Sequence, residues 1–249
     1  MIRLLLALLL LAAPAAAQAP RPATPPLTAA LSTDTVEITT GFTGASVLVY
    51  GATDRLIGAP DGDEILIVMW GPPLPMVVRR KVNLLGFWMN GPSAAFPEVP
   101  GFYAIAGTHP PWELLPEDER RAGRLGLEVL PLRATGSQQP AFRAALLDLK
   151  QGDRHWLENL PVEVSGGRLF SARIAFPDTV QTGEYRTEVL LVRDRRVVAR
   201  QELFLRVQRV GSAARIASVA RQLPLVYGVS CILLAAAAGW LGSILFRRS

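Results

Sequence analysis

The stretch that decides the fold lies late in the chain. It opens Gly183-Glu184-Tyr185-Arg186-Thr187-Glu188-Val189-Leu190-Leu191-Val192 and, past Asp194, continues Val197-Val198-Ala199-Arg200-Gln201-Glu202-Leu203-Phe204-Leu205-Arg206-Val207-Gln208. In the second half Val197, Ala199, Leu203, Leu205 and Val207 share one face. Val198, Arg200, Glu202, Arg206 and Gln208 share the other with Phe204. A period of two with one wet side is the pattern of an antiparallel strand packed on one face, and the two halves predict a β-hairpin.

Working outward, Thr182-Gly183-Glu184-Tyr185 resembles the tyrosine corner that opens a late strand in immunoglobulin-like sandwiches. Upstream, short apolar runs divided by Gly, Pro and Asp read as strands: 36–39, 45–50, 64–70, 76–82, 84–89, 102–106 and 168–176. Between them, residues 110–158 read as a helical insertion. Within it Phe142, Ala145, Leu146 and Leu149 recur at helical spacing after Pro140, predicting a helix over 140–151 that Gly152 stops. The expected fold class is mainly β: an immunoglobulin-like β-sandwich over residues 30–211 with a helical insertion, plus one C-terminal transmembrane helix.

The ends place this domain. Met1-Ile2-Arg3 precedes an apolar run from Leu4 to Ala13, then Pro14 and Ala15-Ala16-Ala17. That is a signal peptide over 1–17, with cleavage before Gln18. Its run covers about 15 Å as a helix, half a bilayer core. Residues 18–29 read as a Pro/Ala-rich linker. At the other end no charge occurs from Leu223 to Phe246, and a helix of that length reaches about 36 Å, enough to span. Residues 212–222 read as a juxtamembrane helix, 223–246 as the span and 247–249 as a cytoplasmic tail. Arg247 and Arg248 on the inner side fit the positive-inside rule. The expected location is the inner (cytoplasmic) membrane, single-pass, with the domain in the periplasm and the C-terminus in the cytoplasm. Ala235, Gly239 and Gly242 form a candidate pairing face on the span.

Composition agrees. Half of the 249 residues are hydrophobic and the mean hydropathy is +0.27, high for a soluble protein. The net charge is +5, carried almost wholly by arginine, since only Lys81 and Lys150 are lysines. No zinc-finger or RNA-recognition signature accompanies it, so no nucleic-acid partner is expected. The single cysteine, Cys231, lies in the apolar C-terminal run and cannot staple the domain.

The search for chemistry finds little. His109 and His155 belong to no metal-binding pair, and no nucleophile elbow, Walker loop or dinucleotide fingerprint occurs. Asp61, Asp63 and Glu64 cluster but lack the spacing of a calcium loop and read as a plain turn. Glu113, Glu117 and Asp118 are acids on a solvated helix rather than a positioned pair. No catalytic residue, metal or cofactor is expected. The candidate partner or ligand surface comprises Arg79, Arg80 and Lys81, a basic triplet that alternation splits across two faces of a strand. To it belong the aromatics Phe87, Trp88, Phe102 and Tyr103. Such aromatics usually pack in a core; exposed together, they would form a partner-binding patch.

Several segments together resemble a family of uncharacterised transmembrane proteins known mainly from alphaproteobacteria. They are Phe42-Thr43-Gly44 through Tyr50-Gly51-Ala52, Gly71-Pro72, Lys81 through Gly86-Phe87-Trp88-Met89-Asn90, and Phe102-Tyr103. Later come Leu169-Phe170, Gly183-Glu184-Tyr185, Gly239-Trp240-Leu241 and Phe246-Arg247-Arg248. The likeness covers nearly the whole mature chain. It departs at the late hairpin, where Arg195 stands in place of the usual Asp-Gly turn. The resemblance implies a signal peptide, an outside domain, one C-terminal span and association with sulfite-exporter-like permeases; it carries no catalytic residues. The expected function is a non-enzymatic accessory subunit. Its partners would be the lipid bilayer and an integral membrane protein, an anion permease. The alternative is a membrane-tethered ligand-binding or sensing domain.

Overall fold

The computed structural model describes residues 25–136, 140–211 and 220–246. The expected signal peptide, residues 18–24 of the expected linker and the expected tail lie outside the described residues. Of the juxtamembrane helix only 220–222 are described, and they are helical.

The elements in order are β1 (Leu27–Leu31), β2 (Thr35–Ile38), β3 (Ala45–Thr53), β4 (Glu64–Trp70), β5 (Pro73–Leu84), β6 (Phe87–Pro100), β7 (Tyr103–Gly107), α1 (Pro111–Leu114) and α2 (Glu117–Gly123). Then follow β8 (Thr135–Gly136), α3 (Pro140–Gly152), β9 (Trp156–Pro161), β10 (Glu163–Ser165), β11 (Leu169–Phe176), β12 (Gly183–Arg193), β13 (Arg196–Arg209) and α4 (Pro224–Phe246). The protein is mainly β. One sheet has the order β1-β3-β11-β10, a second β2-β13-β12-β4-β7-β9, and a third β5-β6-β8.

Alternation builds the core between the first two sheets. Val47 and Val49 of β3 and Phe170, Ala172, Ile174 and Phe176 of β11 face Ile65, Ile67 and Met69 of β4 and Tyr185, Val189 and Leu191 of β12. β13 behaves as its pattern predicts: Leu205 and Val207 are buried while Val198 and Phe204 on the opposite face are exposed. β4 is different, because Leu66 and Val68 are buried too. They belong to a second core, with Leu114, Leu125, Leu130, Phe142 and Leu146 from the helical insertion. The central sheet is therefore covered on both faces.

Three boundaries differ from the sequence reading. The helical insertion ends sooner, because Trp156 to Pro161 pair in parallel with β7. The linker ends sooner as well: Leu27 and Ala29 are buried in the core, so the first strand begins where Pro-rich composition had suggested an open chain. The run 84–89 is not one strand: Leu84 ends β5, Leu85 and Gly86 turn the chain, and Phe87 to Met89 open β6, with Leu84 paired to Phe87. The late hairpin turns at Asp194 and Arg195 with φ of 49° and 59°, the doubly left-handed geometry of a type I′ turn. Arg195 adopts it without the glycine that usually serves there.

Two tertiary interactions close the fold. Tyr185 Oη donates to the carbonyl of Gln181 at 2.8 Å, the corner expected from Gly183-Glu184-Tyr185. Asp63 is fully buried and holds Arg193 through Nε–Oδ1 and Nη2–Oδ2 contacts of 2.7 and 3.0 Å. Asp63 is thus one half of a bidentate ion pair rather than a plain turn residue.

Removing one partner of such a pair strands the other charge. Arg193→Ala, which leaves the fully buried Asp63 carboxylate without its partner, should destabilise the fold by about 3 kcal/mol, read as a lower midpoint in denaturant titration. Burial pushes the Tyr185 phenol up to about 12 from 10.0, only partly opposed by its bond to Gln181, and burial raises Tyr103 in the same direction. A folded-state pKa above the unfolded value stabilises the fold fully below pH 10, and the benefit is lost as pH rises through about 12. Tyrosinate absorbance from these two residues should therefore appear together with loss of β-sheet circular dichroism, not before it.

Candidate functional site

β4 ends at Trp70, and Gly71-Pro72-Pro73 turns the chain out of the central sheet into β5. It returns through β6 to Phe102 and β7, so one hairpin is inserted between two adjacent central strands. Its root is held firmly. Gly71 N–H donates to Phe102 O at 2.8 Å and Gly101 N–H to Pro72 O at 2.9 Å. Trp156 Nε1 donates to Pro100 O at 3.0 Å, and Lys150 Nζ reaches Gly101 O at 3.4 Å. Desolvation lowers the pKa of that lysine.

The inner part of the hairpin packs on the insertion through Val78, Ala94, Phe96 and Val99. Beyond Val78 and Ala94 nothing is buried: from Arg79 to Ser93 every residue is exposed or half-exposed. This free arm is about 20 Å long at strand rise. A bulge between Arg79 and Lys81 sets its pitch, with Arg79 opposite Ser93 and Lys81 opposite Asn90. Gly91 lies in the bulge, where a Cβ would meet Arg80 O at 3.0 Å.

Pairing and alternation sort the arm into two faces. Arg80, Val82 and Leu84 share one with Phe87 and Met89; Arg79, Lys81 and Asn83 share the other with Trp88 and Asn90. The tip is bare: relative exposure is 59% at Leu84, 92% at Leu85, 75% at Phe87, 69% at Trp88 and 52% at Met89. Leu85 also has φ of 52°, followed by Gly86 at 90°, with Gly86 N–H donating to Asn83 Oδ1 at 2.9 Å. A leucine in left-handed backbone is strained, and here it forms the most exposed point of an apolar cluster. The only charges from Pro73 to Pro97 are Arg79, Arg80 and Lys81; no acid occurs before Glu98.

The structure divides the predicted surface. Arg79, Arg80, Lys81, Phe87 and Trp88 lie together on the arm. Phe102 and Tyr103 do not: both are fully buried. Phe102 stacks on Phe176 at 4.7 Å, and Tyr103 Oη donates to Arg124 O at 3.1 Å while accepting from Gly126 N–H at 2.8 Å. They follow the arm into the central sheet, whose two covered faces leave no exposed side for them. Leu84 and Leu85 were missed as site residues. The signal available for them was the Leu85-Gly86 pair, of the X-Gly kind that closes a two-residue hairpin.

Elsewhere, a cleft of about 650 Å³ opens at the arm's root, lined by Trp70, Pro97, Arg124, Arg133 and Arg186 among others. Arg186 lies over the Trp70 ring at 5.0 Å. Neither Arg79 nor Arg80 lines it. His155 is buried rather than superficial, its Nε2 3.4 Å from Thr179 O; His109 is exposed beside Glu64 at 3.3 Å. Among the described residues no three His, Cys, Asp or Glu side chains gather closely enough to hold a metal ion.

In α4, the stretch Pro224–Leu241 has mean hydropathy 1.8, and none of it is buried against the rest of the chain. Ala235 and Gly239 lie one turn apart on it, and a Cβ added at Gly239 would meet nothing within 4 Å. Gly242 lies further along the same helix.

A mainly β domain joined to one C-terminal helix, long and apolar enough to cross a membrane, defines the class. Residues 26–248 match the family described as "Putative transmembrane protein (Alph_Pro_TM)", and the chain belongs to it. No curated protein matches. Among solved structures the chain is similar to one from work described as "Structural basis of T cell specificity and activation by the bacterial superantigen toxic shock syndrome toxin-1". The identity is 7%, with 74% of this chain and 99% of the other covered, and the TM-score is 0.26.

Because Leu85 is strained and makes no core contact, Leu85→Asn should raise stability by about 1 kcal/mol, since Asn tolerates left-handed backbone. A higher thermal midpoint for the variant checks this.

Proposed function

We propose that this protein is a non-enzymatic accessory subunit held on the outer side of the cytoplasmic membrane by α4, with its C-terminus in the cytoplasm. The domain is an immunoglobulin-like sandwich. The order β1-β3-β11-β10 facing β2-β13-β12-β4 supports this, since it corresponds to strands A-B-E-D facing A′-G-F-C. The observation that carries the functional reading is the free arm. A domain with two well-filled cores nevertheless leaves five large apolar side chains at one tip bare, and apolar clusters of that kind mark contact surfaces. The span is the second contact. Its Ala235, Gly239 and Gly242 line allows close approach of another helix in lipid, and an anion permease is the partner that the family resemblance suggests.

A second reading, ligand sensing, has one observation in its favour: Arg124, Arg133 and Arg186 line the cleft at the arm's root together with Glu98 and Glu184, a net positive lining suited to a small anion.

Affinity capture of tagged full-length protein in mild detergent should recover a stoichiometric polytopic membrane protein, and Gly239→Leu should diminish it. Recovery of the protein alone across several detergents would overturn the accessory reading.

A further inference from the structure

We infer that the tip of the β5–β6 arm inserts into the anionic lipid surface of the membrane that α4 crosses, giving the domain a second membrane contact. The inference rests on the reading of the chain as membrane-anchored with its domain outside; it needs no protein partner.

Three observations point to lipid. The first is chemical type and order. Leu84, Leu85, Phe87, Trp88 and Met89 form the bare end of the arm, and Arg79, Arg80 and Lys81 lie behind them. Leu85 is four residues from Lys81, or about 13 Å along the strand. Apolar segments that bind at membrane surfaces sink about 5–10 Å to the headgroup–acyl boundary. With the tip at that depth, Lys81 lies within side-chain reach of the phosphates, Arg80 and Arg79 follow one and two residues farther out, and Trp88 lies where interfacial tryptophans collect.

The second is charge. Between Pro73 and Pro97 the arm carries three positive charges and no negative one, complementary to an anionic leaflet. The same charge opposes a second copy of the chain as occupant, because two arms tip to tip would bring like charges together.

The third is location. Trp70, the last residue before the arm, pairs with Arg186, which pairs with Phe204. A Cβ on Gly183 would touch Pro72 Cγ at 2.9 Å, and Gly183 pairs with Val207. The arm is thus rooted at the end of the central sheet where β13 finishes at Arg209 and the chain runs on to α4. Fourteen residues separate Arg209 from Pro224, so the sheet end and the bilayer are within about 50 Å of one another at full extension.

The test uses the full chain with Cys231→Ser, since Cys231 is the one native cysteine. A polarity-sensitive fluorophore is attached at Leu85→Cys or, as a control on the exposed face of β13, at Val198→Cys. Each protein is placed in nanodiscs of phosphatidylcholine with phosphatidylglycerol, and in lipid-free amphipol. The residue 85 label is expected to be quenched by headgroup-proximal nitroxide lipid and shielded from aqueous iodide in nanodiscs, but open to iodide in amphipol. The residue 198 label should remain open to iodide in both. Replacing Arg79, Arg80 and Lys81 with Gln should lower the inserted-to-free ratio of the arm about fivefold per base removed, and added salt should lower it too.

A residue 85 label equally open to iodide in nanodiscs and amphipol overturns the proposal. Shielding in amphipol that is lost on dilution to the monomer overturns it in favour of a second copy. Shielding only when native membrane proteins are reconstituted alongside overturns it in favour of a protein partner and leaves the accessory reading standing. Lipid quenching of the isolated protein, with no partner recovered by affinity capture, supports the arm's insertion and removes the accessory reading instead.

Discussion

Five consecutive apolar residues, Ile65 to Met69, form the middle of β4, and all five are fully buried. A strand presents successive side chains to opposite faces, so such a run requires cover on both sides of its sheet. The β1-β3-β11-β10 sheet supplies one cover, and the insertion between β7 and β9 the other. β12, paired with β4, obeys the same requirement: Val189 and Leu191 face one core, Leu190 and Val192 the other. The rest of the domain is arranged around this doubly covered pair.

The arm follows from it. Because β4 and β7 are neighbours in the central sheet, a hairpin inserted between them has its root clamped by sheet hydrogen bonds, by Trp156 and by the insertion. A two-stranded ribbon alone is marginal in water. Here the inner half is stiffened by packing and the outer half is left free. The domain exposes a cluster of large apolar side chains where its backbone is also strained, at Leu85. Strain and exposure at one point oppose stability twice, which is characteristic of sites retained for contact rather than for folding.

Charge is handled differently in the body and in the arm. Within the body, several arginines are matched: Arg193 holds buried Asp63, and Arg186 and Arg200 flank buried Glu188 at 3.4 and 3.0 Å. On the arm, the three bases have no acid along either strand from Pro73 to Pro97. Matched charges inside a fold stabilise particular pairings; unmatched ones on a projecting ribbon are available to something outside the chain.

Much of this architecture is written in local pattern. Period-two alternation gave β13 its inner and outer faces, helical spacing after Pro140 gave α3, Gly183-Glu184-Tyr185 gave the corner, and an uncharged run long enough to cross a bilayer gave α4. Each is settled by neighbours a few residues apart. Other features depend on residues far apart in the chain. Asp63 and Arg193 are separated by 130 positions, and nothing near either one marks the pair. Phe87-Trp88 and Phe102-Tyr103 are alike in chemistry, yet one pair is bare and the other buried. Local sequence could not separate them, because burial is a property of what lies opposite a side chain. Only the insertion of the arm between β4 and β7 decided it: the aromatics at its tip have no facing layer, and those at its root enter a sheet that has two.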